Sequence, residues 1–166
     1  MTKNKPFFLL FFILLLLLSC DTDRVFDDYR SIHGAWDKDD PATFNYTTSD
    51  TLRPYNLFIN IRNTNTYKFS NLFLIVEMQY PHGKTIKDTL EYQMAKPNGE
   101  LLGQGFTDIK ENKLWYKGHD KPFVFSEKGN YEIKIRHAMR NNGQVNGVDK
   151  LEGITDVGFR IENKNK

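Results

Sequence analysis

One cysteine, four histidines and 21 carboxylates are the side chains of this 166-residue chain most suited to nucleophilic, metal or acid–base chemistry. The cysteine has the most specific setting. Cys20 closes the run Leu17-Leu18-Ser19-Cys20, and Asp21, Asp23, Asp27 and Asp28 follow it. A branched aliphatic residue, a small residue directly before the cysteine and the cysteine itself have the form of a bacterial lipobox. At such a site a lipid is transferred to the thiol, a peptidase cuts between Ser19 and Cys20, and the new N-terminus is usually acylated as well. The preceding residues fit. Pro6 to Leu18 is an apolar run of thirteen residues, short of the roughly 20 that span a bilayer and of the length found in signal-peptide cores. Lys3 and Lys5 supply the positive segment ahead of it. An ordinary secretory peptide with an incidental cysteine, or a short uncleaved anchor, are the alternatives, and the placement of the lone cysteine favours lipid attachment at Cys20. One acyl chain holds a bilayer weakly, at about 0.8 kcal/mol per buried methylene, whereas two or three hold it firmly.

The remaining groups assemble no recognisable catalytic motif. With Cys20 committed to lipid there is no thiol for a disulfide or a cysteine nucleophile. The nucleophile elbow, the paired-histidine zinc motif, the phosphate-binding loop and the dinucleotide fingerprint do not occur. His33, His82, His119 and His137 share no ligand spacing, and His137 reads as a half-buried strand residue. Asp37-Lys38-Asp39-Asp40 is only loosely like a calcium loop, since it lacks the glycine and the later Glu, and a solvated acidic turn accounts for it. A glycosidase needs two carboxylates about 5 to 10 Å apart, which sequence spacing does not decide. Trp36, Trp115 and Tyr116 are candidates for a sugar-stacking platform, set against the commoner role of large aromatics in a core. The expectation is a chain that is not an enzyme and carries no cofactor and no metal.

The elements that position these residues read as three parts: a signal peptide at 1–19, a lipidated N-terminus and tether at 20–40, and a folded domain at 41–166. The mature chain from Cys20 has 147 residues, enough for one domain with its own core. Loss of Lys3 and Lys5 leaves equal numbers of basic and acidic residues, so no nucleic-acid binding is expected. Within the tether, Phe26, Tyr29, Ile32 and Trp36 recur every three or four residues and are expected to pack back on the domain.

Beyond Pro41 the apolar period is two. Leu57, Ile59 and Ile61 alternate with Phe58, Asn60 and Arg62, as in a half-buried strand. Leu72 to Val76 are all apolar, which predicts a central strand covered on both faces. Tyr131, Ile133, Ile135 and His137 share one face of a third strand, and Val157, Phe159 and Ile161 one face of a last. Pro81-His82-Gly83-Lys84, Pro97-Asn98-Gly99, Lys128-Gly129-Asn130, Asn142-Gly143 and Asn146-Gly147 are turn chemistry, while the glycines of "GELLGQG" suit turns and bulges. The fold class is all-β: a single antiparallel β-sandwich of about seven or eight strands, with an open barrel as second choice.

Taken in order behind the lipobox, Trp36, "YKFSNLFLIVEMQYP", "KPNGELLGQGFTDI", "EKGNYEIKIRHAMR" and "GITDVGFRIE" make the chain resemble the gliding motility lipoprotein GldH family of the Bacteroidota over nearly its whole length. The resemblance implies a cell-envelope lipoprotein, anchored to a membrane through its lipid, non-catalytic, needed for gliding, and linked to the secretion machinery that exports adhesins. Its expected partners are other envelope proteins of the gliding and secretion machinery, and its expected place is the outer membrane, facing the periplasm. A surface carbohydrate-binding lipoprotein is the alternative. Asp50-Thr51-Leu52 and Asp88-Thr89-Leu90 are similar to the acceptor tripeptide for O-glycosylation of envelope proteins in this phylum, which makes Thr51 and Thr89 candidate sites. Arg136, Arg140 and Arg160 are expected to project outward from strands near the C-terminus and to form a face for a protein partner.

Overall fold

A computed structural model of the chain describes residues 23–105 and 108–164. Cys20 and the signal peptide lie outside the described residues. The strands are β1 (Arg24–Ser31), β2 (Trp36–Asp37), β3 (Ala42–Thr48), β4 (Tyr55–Thr64), β5 (Asn71–Gln79), β6 (Thr85–Gln93), β7 (Ile109–Lys117), β8 (Gly129–His137), β9 (Lys150–Leu151) and β10 (Ile154–Asn163). Eight of them form two four-stranded sheets, β1-β10-β4-β7 and β3-β8-β5-β6, and the short β2 and β9 pair with each other. Every pairing is antiparallel. The all-β sandwich read from the period of two is the observed architecture.

The core lies between the two sheets. Leu57, Ile59 and Ile61 of β4 and Val157, Phe159 and Ile161 of β10 meet Leu74, Val76 and Met78 of β5 and Ile133 and Ile135 of β8, and all are fully buried. Each such side chain contributes about 1.5–3 kcal/mol relative to exposure, and without a disulfide this burial is the main stabilising term. Rings join the layers: Phe44 of β3 lies 6.1 Å from Phe159 of β10, and Phe125 packs within 5.0 Å of both Tyr46 and Tyr131. The hairpin between β5 and β6 closes where the turn chemistry predicted. The Gly83 N–H donates to the Tyr80 carbonyl at 2.9 Å, and φ of +89° there needs a residue without a Cβ.

Three expectations are corrected. Residues 24–31, read as tether, form β1 and pair along β10 from Arg24↔Glu162 to Ser31↔Asp156. Phe26, Ile32 and Trp36 do pack on the core, but Tyr29 lies on the opposite, outer face of the sheet, among Asn60 and Glu111. Second, the covered and half-covered strands are exchanged. In β5, Phe73 and Ile75 remain half-exposed, whereas β4 is buried on both sides, with Phe58 3% and Asn60 2% exposed. The neighbours decide this. Trp115 of β7 packs at a tilt 4.3 Å from Phe58, and Tyr29 of β1 reaches Asn60, so long side chains roof the outer face of β4. Third, the strands expected to present Arg136 and Arg160 on one face, β8 and β10, belong to different sheets.

Candidate functional site

The outer face of the β1-β10-β4-β7 sheet holds the most organised polar structure among the described residues. Register sets its rows. Asp27, Arg160, Phe58 and Trp115 line up across the four strands; then Tyr29, Gly158, Asn60 and Lys113; then Ser31, Asp156, Arg62 and Glu111. In the middle row Gly158 leaves a gap that the Tyr29 ring fills. The Tyr29 hydroxyl donates to Glu111 Oε1 at 2.8 Å and accepts from Asn60 Nδ2 at 2.8 Å, while Arg62 donates through Nε to Glu111 Oε2 at 3.0 Å. The Arg62 guanidinium also stands 4.2 Å from the centre of the Tyr29 ring. Burial, and then the Glu111 carboxylate, push the Tyr29 phenol well above its ordinary pKa. It is a fixed donor at any physiological pH.

One row away Arg160 sits between two carboxylates, with Nη1 2.9 Å from Asp27 Oδ2 and Nε 2.5 Å from Glu162 Oε1. All three side chains are 13–15% exposed. Lys113 bonds Glu162 at 2.6 Å and lies 4.1 Å over the Phe58 ring. Arg62, Lys113 and Arg160 are thus spent on Glu111, Glu162 and Asp27. Chemically the arrangement is a braced surface.

The sequence-derived candidates are scattered by the fold. Arg160 does not project into solvent but is held in the cluster just described, because β10 is an inner strand of its sheet and its outer row is occupied by charged neighbours. Arg136 lies on the outer face of the other sheet, 3.1 Å from Glu77 Oε1 and partly exposed, and Arg140 is exposed beyond the end of β8. The three arginines therefore do not share a face. Arg140 borders a groove of about 750 Å³ over β5 and the segment that follows β8, lined also by Phe69, Phe73, Ile75 and Met139, with Thr89 at its rim. Thr89 is exposed on the outer face of β6, and Thr51 is half-buried in the β3–β4 link.

The aromatic trio is likewise divided. Trp36 is 1% exposed in the core, with its Nε1 donating to the Asp40 carbonyl at 3.1 Å. Trp115 is 43% exposed on the outer face. Tyr116, next along β7, points the other way, packs beside Phe159 and donates to Asp88 at 2.8 Å. No common platform forms from the three. His137 is 2% exposed, its Nε2 2.9 Å from the Trp36 carbonyl, and its Nδ1 is buried without a partner. The Asp37–Asp40 segment is a turn closed on Asp37, whose Oδ1 accepts from the Asp39 N–H. Among the described residues no three His, Cys, Asp or Glu side chains stand close enough to hold a metal ion.

Asn60 and Glu111 were not singled out from sequence, and Tyr29 was read as an aromatic packing back on the domain. The available signal was the spacing of two in Asp27, Tyr29 and Ser31, hidden by the helix-like spacing of Phe26, Tyr29 and Ile32.

Fold and surface together define an all-β sandwich domain whose outer face is braced by charged and aromatic side chains. The family description "GldH lipoprotein" matches residues 24–161, and the chain belongs to that family. It is 56% identical over 155 residues to the gliding motility lipoprotein GldH homolog of Christiangramia forsetii, covering 93% of each chain. It is 54% identical over 162 residues to the gliding motility lipoprotein GldH of Flavobacterium johnsoniae, covering 98% of each. Among solved structures, latent PorU of Porphyromonas gingivalis is similar at a TM-score of 0.38 and 9% identity, over 88% of this chain and 13% of that one, a likeness too loose to carry further meaning.

Proposed function

We propose that this chain is a non-catalytic component of the gliding apparatus, acylated at Cys20 and held in the outer membrane facing the periplasm, where it supports secretion of surface adhesins. The observation that carries this reading is the full-length similarity to gliding motility lipoproteins behind a lipobox. The surface is consistent with it, since Tyr29, Glu111 and Arg62 brace one another, and Arg160 holds Asp27 and Glu162, instead of converging on a cavity. Partner proteins of the envelope machinery dock on the outer face of β3-β8-β5-β6, around Arg136 and Arg140, the two arginines that remain accessible.

Complementation tests this. In cells lacking the gene, the wild-type chain restores spreading, and Cys20→Ala neither restores it nor stays with membranes after a high-salt wash. The pair Arg136→Glu and Arg140→Glu stays anchored and folded but loses crosslinked envelope partners. A Cys20→Ala chain that remains tightly membrane-bound sinks the anchor assignment, and a charge-reversed chain with normal spreading and normal crosslinks sinks the docking face.

A further inference from the structure

The described chain begins already fastened. The Asp23 carbonyl accepts a hydrogen bond from the Asn163 N–H at 2.8 Å, at the end of β10. Only Asp21 and Thr22 separate Asp23 from Cys20. Three steps of extended chain span at most about 11 Å, so a lipid on Cys20 brings this end of the sandwich to within that distance of the anchored backbone, whatever path the two residues take. The sandwich cannot swing freely on so short a link.

The loops at that end can be named from their bonds. Asn163, which holds Asp23, also accepts from Arg53 Nη1 at 3.4 Å, and Lys164 N donates to the Pro54 carbonyl at 3.1 Å. The link from β3 to β4, residues 49–54, therefore stands beside the anchor. Its tip is Leu52, 86% exposed. That exposure is built in: the N–H groups of Leu52 and Arg53 both donate to Asp50 Oδ1 at 3.0 Å, which fixes the bend and turns the leucine outward. Lys164 Nζ donates to the Gly118 carbonyl at 2.5 Å, which brings the 118–122 segment, with exposed Lys121, to the same end. Asp120 beside it is 91% exposed, so net charge contributes little there. The apolar contact leads, with long basic stems able to lie along the interface.

Exposure alone does not choose between the two ends. Val145, between β8 and β9, is 87% exposed and lies at the far end, and ten residues of strand place that end about 30 Å away. The anchor makes the choice. We propose that the Leu52 end is a bilayer-contacting surface: Leu52 enters the interfacial layer of the membrane that holds the lipid, Arg53 and Lys121 meet phosphates, and Val145 and the Arg140 groove point away from it.

This placement rests on acylation at Cys20, and the test separates the two. Full-length lipidated protein carrying Leu52→Cys or Val145→Cys, in which the new residue is the one reactive thiol, is labelled with an environment-sensitive fluorophore. Each is then reconstituted into phosphatidylethanolamine–phosphatidylglycerol vesicles containing headgroup-spin-labelled lipid. The expected result is flotation with the vesicles, blue-shifted emission at position 52, and quenching there several-fold stronger than at 145. Flotation with equal quenching at both positions overturns the bilayer contact while leaving the anchor intact. Protein that does not float shows that Cys20 carries no anchor, and the placement falls with it.

Discussion

The ring of Tyr29 lies so close over Gly158 that a Cβ added to the glycine would stand 2.8 Å from both Cδ1 and Cε1. β1 and β10 are thus matched face to face: one supplies a flat side chain and the other supplies the space for it. Gly158→Ala should cost about 1–3 kcal/mol, as overpacking does, because the displaced phenol also gives up its bonds to Glu111 and Asn60. Urea denaturation of the Cys20→Ala chain measures it. The double variant with Tyr29→Ala should lose less than the two single losses added together, since one cause underlies both.

Arg160 and Arg136 look alike in the alternation of their strands and should behave differently. Arg160→Met leaves Asp27 and Glu162, 15% and 13% exposed, without their shared cation, a loss of about 3 kcal/mol of the size seen when one partner of a buried pair is removed. Arg136→Met breaks a pair whose side chains are 38% and 31% exposed and should shift stability by under about 1 kcal/mol. Equal losses in urea titrations of the two variants would contradict the burial that separates them.

His137 gives the domain a pH dependence of known sign. Burial lowers its pKa below the ordinary 6.5, with the Trp36 carbonyl and Asp37 opposing and Lys38 assisting. The folded state therefore holds it neutral, while the unfolded chain takes up a proton near pH 6.5. Its stabilising contribution is full above that pH and is lost as pH falls toward the lowered folded value, by at most about 1.4 kcal/mol per unit. Melting curves from pH 7.5 to 5 should show the loss, and His137→Gln should flatten it.

The two candidate glycosylation sites are not equivalent in the fold. Thr89 points outward from β6, whereas Thr51 is half-buried in the bend fixed by Asp50. Intact-mass and peptide analysis of native protein should find added mass on Thr89 and none on Thr51. An unmodified polypeptide mass removes both.

What the sequence revealed depended on where a strand's partners were spent. β4, β8 and β10 were legible because their inward sides are plain apolar rows: Leu57, Ile59 and Ile61; Ile133 and Ile135; Val157, Phe159 and Ile161. β1 was illegible because its outward residues are Asp27, Tyr29 and Ser31, and nothing local says that the Asp27 charge has its partner 133 residues away on β10. The cover over Phe58 and Asn60 was hidden for the same reason: it comes from side chains on β1 and β7 that only the register brings overhead.

The pairing of β1 along β10 also decides how the molecule meets a mechanical load. With the lipid on Cys20, as proposed, a pull between that anchor and a protein gripping the far end of the sandwich enters at Asp23 and runs along the axis of β1. It loads the ladder from Arg24↔Glu162 to Ser31↔Asp156 in shear, so its hydrogen bonds resist together, whereas a pull across the strands would unzip them one at a time. The Arg160 clamp on Asp27 and the Tyr29 bonds to β4 and β7 add side-chain rivets to that seam. The lipid proposed on Cys20 would thus be attached where traction is carried by a whole strand at once.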